Sequence, residues 1–97
     1  MSTRDAYKQK IEAEVELAQA KLAELRARAK SSVADARLKY AKQIDDLELG
    51  VETTKVKLKE LSEANEDAWE HLKAEVESAW GTLRDGVRDI AATLNKK

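Results

Sequence analysis

The sequence predicts an all-α fold, an elongated coiled-coil-like helical hairpin or bundle of one long helix plus a C-terminal helix, and three observations lead there. Proline is absent and only three glycines, Gly50, Gly81 and Gly86, occur among 97 residues, so little in the chain interrupts a helix. Ala, Glu, Lys and Leu dominate, with 38% charged beside 42% hydrophobic residues. That balance belongs to long helices rather than to a mixed domain or a disordered chain. Finally, apolar residues recur almost end to end, from Tyr7, Ile11, Val15, Ala18, Leu22 and Leu25, through Ile44, Leu47, Val51, Leu58 and Leu61, to Leu83, Val87, Ile90 and Leu94. Their mean step is about 3.6 residues, against about 3.5 for a strict heptad seam, so the helices are expected to be nearly straight. Each carries one apolar stripe and an opposite charged face, and must bury that stripe against another helix.

The first helix is expected over residues 3–63 and the second over 66–95, within a single domain spanning 1–97. Three places are weaker than their surroundings. At "AKSSVADARL", Ser32 has the chemistry of an N-cap, with Asp35 three residues on, but no glycine or proline enforces a turn. At "LELGVETTKV", Gly50 precedes Val51, Thr53, Thr54 and Val56, all weak helix formers. At "LSEANEDAWE", Asn65 is a good cap, and Glu66 and Asp67 place negative charge where the helix dipole favours it. The break near Ser62–Asn65 ranks first. The 3–63 helix then rises about 1.5 Å per residue to a rod of about 90 Å.

A C-terminal helix half as long covers only residues 35–63 of that rod. Folded back, it brings Arg84 and Arg88 toward Asp45, Asp46 and Glu48, and Glu70 and Glu75 toward Lys55–Lys59. The remaining half, residues 3–33, needs a partner. Either the chain turns at Ser31–Ser32 into a three-helix bundle, or a second subunit supplies the missing face in a domain-swapped arrangement. The small residues Ala27, Ala29, Ser31, Ser32, Ala34 and Ala36 favour a close crossing of continuous helices, hence a swapped antiparallel homodimer. Charge agrees on orientation: residues 21–42 are mostly basic and 60–77 mostly acidic, so a parallel pair in register stacks like on like.

Several chemistries are disfavoured. The chain has no cysteine, which removes disulfides, thiolate metal sites and cysteine nucleophiles. His71 shares a helix face with Asp67 and Glu75, but Ala68 stands where a Glu-x-x-His pair needs its glutamate, and a solvated face is the better reading than a metal site. Carboxylate pairs such as Glu12 and Glu16 lack a cleft to shift their pKa values. "LRDGVRD" follows no strand and forms no phosphate loop. No cofactor, small-molecule substrate or enzymatic activity is therefore expected. The basic block 21–42, with Arg26, Arg28, Lys30, Arg37, Lys39 and Lys42, has the charge to meet nucleic acid, but the chain is −1 overall and shows no groove-reading motif. No apolar run approaches a signal peptide or the roughly 20 residues of a membrane span, so a cytoplasmic bacterial-type protein is expected.

Residues 67–87, "DAWEHLKAEVESAWGTLRDGV", hold both tryptophans, one eleven-residue step apart. Eleven residues make about three turns, so Trp69 and Trp80 share a face with Leu72, Val76, Leu83 and Val87. These six form the expected interaction stripe, with the tryptophans as buried anchors for docking the C-terminal helix. Reversible lipid-surface binding by that amphipathic helix is the alternative, opposed by its acidic balance.

The Asp-Ala-Trp and second Ala-Trp of this stretch follow a charged helix containing "ADARLKYAKQIDDL". Together they resemble a family of short bacterial coiled-coil proteins commonly labelled stress-response or hypothetical proteins. Members often carry a glycine-containing break before Asp-Ala-Trp, which here reads "EANED". The resemblance implies an all-helical cytoplasmic protein linked to stress, with no catalytic residue to carry over. The expected function is thus that of a non-enzymatic structural or interaction protein that self-assembles through helix faces.

Overall fold

The computed structural model describes residues 3–95 as three helices in chain order: α1, Thr3–Ala29; α2, Ala34–Ser62; and α3, Glu66–Asn95. No strand occurs among the described residues. The helices lie side by side in a bundle 50 Å long and 20 × 16 Å across. α2 runs antiparallel to the other two, so α1 and α3 are parallel neighbours. Among the described residues no helix is long and apolar enough to cross a membrane.

The break expected at 62–65 forms as its residues dictate. α2 ends where the Glu63 N–H reaches the carbonyls of Lys59 and Glu60, both at 3.2 Å. α3 starts where Asn65 Oδ1 accepts the N–H of Ala68 at 3.0 Å, a side-chain cap, with Glu66 and Asp67 in the first turn. Gly50, the second weak point, does not interrupt α2. The Thr53 and Thr54 hydroxyls turn back onto the carbonyls of Leu49 and Gly50, at 3.0 and 2.8 Å, and the helix continues.

The continuous helix expected over 3–63 is corrected: it ends at Ala29 and a turn occupies residues 30–33. The N–H groups of Ser31 and Ser32 bond the carbonyls of Arg28 and Ala29, both at 3.1 Å, tightening the last turn. α2 then begins one residue later than the Ser32 cap would place it. Val33 is the N-cap, extended at φ −62° and ψ 156°, and makes no side-chain cap bond. The physical reason for the turn is tertiary. Carrying the helix through two serines gains little, whereas turning buries Ile11, Val15, Ala18, Leu22, Leu25 and Ala29 within the same chain. Each large side chain so buried contributes about 1.5–3 kcal/mol.

The core runs the length of the bundle. From α1 it takes the six residues just named, from α2 Ile44, Val51, Thr54, Leu58 and Leu61, and from α3 Val76, Leu83, Val87 and Ile90. Thr54 enters the core because its hydroxyl is already satisfied by the Gly50 carbonyl. At Gly86 of α3 the side chain of Leu47 from α2 occupies the space a Cβ would need.

Candidate functional site

The six residues of the expected stripe do share one face of α3, and that face points inward. Val76, Leu83 and Val87 are buried, while Trp69, Leu72 and Trp80 are half-buried and packed against the core. Both tryptophans, the expected docking anchors, pack against the core while their rings still reach the bundle surface.

The two rings have different surroundings. Trp69 sits at the α2–α3 end of the bundle beneath α1. The Arg4 guanidinium lies over its ring at 4.5 Å, and the Tyr7 ring meets it edge-on with centroids 6.0 Å apart. Arg4 Nη1 also donates to the Ala64 carbonyl at 3.0 Å, tying the start of α1 to the turn between α2 and α3. Lys73 Nζ lies 5.3 Å from the Tyr7 ring centroid, and the Tyr7 hydroxyl donates to Glu77 Oε1 at 3.4 Å. Burial first, then the nearby Glu77 charge, push the Tyr7 phenol up to about 12. The apolar stripe included Tyr7, but Arg4 was missed. The only signal for it was a lone cation one turn before the first stripe residue.

Trp80 lines an open groove between α1 and α3. Its companions are Leu17, Ala18, Val87 and Ala91, edged by Glu14, Lys21, Arg84 and Arg88. Leu17 is 72% exposed and leads into this groove from α1. Other exposed large apolar residues lie away from it: Leu38, Leu49 and Val56 share the outer face of α2, and Val33 tips the first turn.

The basic block 21–42 is folded across the first turn and so gathers at one end of the bundle. Arg26 bridges Asp45 and Glu48 at 2.7 and 2.9 Å, which raises its pKa further. Arg28 pairs with Glu24 at 3.2 Å and reaches Asn95 at the end of α3. The acids of 60–77 gather at the opposite end. Of the cross-helix pairs expected from charge, Lys57 and Glu75 meet at 2.9 Å, and each holds the other's charged form, lowering the carboxyl and raising the amine. Arg84 and Arg88 do not reach Asp45, Asp46 or Glu48. They lie on the edge of α3 that faces α1, and both contact Asp85, at 3.5 and 3.2 Å. His71 is exposed and 3.5 Å from Glu75. Among the described residues, no group of three or more His, Cys, Asp or Glu side chains is placed to hold a metal ion.

Neither a protein-family model, nor a curated protein, nor a solved structure matches the chain.

Proposed function

We propose that the chain is a non-enzymatic, cytoplasmic helical interaction protein that works by self-association, and that its tie to bacterial stress follows the family it resembles. The observation that carries this reading is the division of its apolar residues. The core is filled by one stripe from each helix, yet Leu17, Leu38, Leu49 and Val56 remain exposed on outer faces. Leu38, Leu49 and Val56 line up on one outer face of α2 and Leu17 borders the open Trp80 groove, so these side chains are available to meet another surface.

Lipid binding by α3 is the less economical reading. The residues that would enter a lipid surface, Val76, Leu83, Val87 and Ile90, are the buried side of the helix, so α3 must leave the bundle first. Sedimentation equilibrium across micromolar to millimolar protein tests the proposal. It predicts a mass that rises with concentration toward a multiple of 10.9 kDa. A chain that stays at the mass of one copy throughout, but whose tryptophan emission shifts blue with vesicles, reverses the order of the two readings.

A further inference from the structure

Of the three contacts between helices, that of α1 with α3 is the smallest, and it leaves the groove of Leu17 and Trp80 open. The charge along this face is graded. On the side of the first turn the groove is edged by Lys21, Arg84 and Arg88. The carboxylates near them, Glu24 at 3.5 Å from Lys21 and Asp85 shared by the two arginines, are exposed partners of small worth. On the other side stands Glu14, then Glu77 at the Tyr7 hydroxyl. Helical spacing puts Glu70 and Glu66 farther along the same edge of α3. Lys73, 5.3 Å from the Tyr7 ring centroid, and Arg4, over Trp69, stand among these acids and offset part of their charge. The face is therefore basic toward one end, apolar in the middle, and edged at the other end by Glu14, Glu77, Glu70 and Glu66 with Lys73 and Arg4 between them.

Resting on the self-association reading, we infer that this α1/α3 face binds a second copy of the chain, antiparallel, about a twofold axis passing close to Leu17. Such an axis lays α1 on the second copy's α1 and α3 on its α3. Leu17 meets its mate, Lys21 comes opposite the second copy's Glu14, and Arg88 comes opposite its Glu77. Arg84 then approaches the second copy's Trp80, a half-buried aromatic lining the groove that suits a guanidinium. Symmetry makes each of these contacts twice. A parallel pair instead sets Lys21 beside the second copy's Arg84 and Arg88, and Glu14 beside its Glu77, which charge repulsion opposes. A bundle 50 Å long and 20 × 16 Å across has room on one side for the roughly 800 Å² per partner of a standard interface.

The test uses the full chain with Leu17→Glu, a position whose exposure leaves the monomer's core untouched. Sedimentation equilibrium should show a dimer in the wild type and a dissociation constant raised about a hundredfold or more in the variant, as like charges meet at the axis. Helix content should not change. Lys21→Glu alone should weaken the dimer, and Lys21→Glu with Glu14→Lys should restore it, because the charges exchange places on both copies. In Trp69→Phe, the emission of the remaining Trp80 should shift red on dilution as the dimer parts. A wild-type dimer left unchanged by Leu17→Glu overturns this face as the interface while self-association stands, with exchange of α1 through the 30–33 turn as the route. A wild type that is monomeric throughout overturns the self-association reading and this inference together.

Discussion

Two of the glycines lie in the same helix but in opposite surroundings, so one chemical change at each tests the α2–α3 packing. A Cβ at Gly81 would meet no other heavy atom within 4 Å, whereas at Gly86 it would run into the Leu47 side chain. Both residues are helical without positive φ, so alanine is free of backbone strain and gains about 0.8–1 kcal/mol of helix propensity at either place. Gly81→Ala should realise that gain, raising Tm by about 4–8 °C for a domain of this size. At Gly86, Leu47 must leave its rotamer or the helices must part. Overpacking of this kind costs about 1–3 kcal/mol, so Gly86→Ala should be neutral to clearly destabilising. The two variants are then separated by about 1–3 kcal/mol. Urea unfolding followed by circular dichroism measures this, at several protein concentrations so that association does not enter. Adding Leu47→Ala removes the obstruction, and in that background Gly86→Ala should become favourable, a coupling that a double-mutant cycle reads directly. If Gly86→Ala stabilises the wild type as much as Gly81→Ala does, α2 and α3 do not approach at Leu47 as described, and the reasoning fails.

Two further predictions concern the ends of the bundle. Val33 is 76% exposed and caps α2 without a side-chain bond, so Val33→Asp should add the missing acceptor and stabilise by about 1 kcal/mol; a loss in thermal unfolding would show that this turn is not the start of α2. The Tyr7 phenol, held at about 12 by burial and by Glu77, is favoured in its protonated form in the fold. The stability this confers is present below the ordinary phenol value of about 10 and is lost as pH rises toward 12. In Tyr40→Phe, absorbance titration of the one remaining tyrosine should therefore have its midpoint near 12, and Tyr7→Phe should flatten that part of the stability profile. A midpoint at the ordinary value would mean that the cluster of Arg4, Tyr7, Trp69 and Glu77 does not close.

Much of the fold was legible because helix period and cap chemistry act locally. The stripe of Val76, Leu83, Val87 and Ile90 could be read from spacing alone, and Asn65 followed by Glu66 and Asp67 marked the start of α3 by the same short-range chemistry. Charge was a weaker guide. It brought Glu75 to the Lys55–Lys59 stretch, where Lys57 meets it, but misassigned Arg84 and Arg88, since matching heights on two helices does not say which edge of a helix a side chain occupies. The groove of Leu17 and Trp80 was not legible at all, because Leu17 lies off the apolar stripe and becomes meaningful only beside a neighbour contributed by α3.

The sequence by itself determined that the chain is all helix, where its last helix begins and which side of each helix is buried. These follow from residues within a few positions of one another. Only the tertiary structure decided whether residues 30–33 turn or continue. No glycine or proline weighs on that choice, and helix propensity separates the outcomes by little. What tips it is the burial of the α1 stripe against partners some twenty to eighty residues away, made within one chain without the entropy cost of bringing in a second.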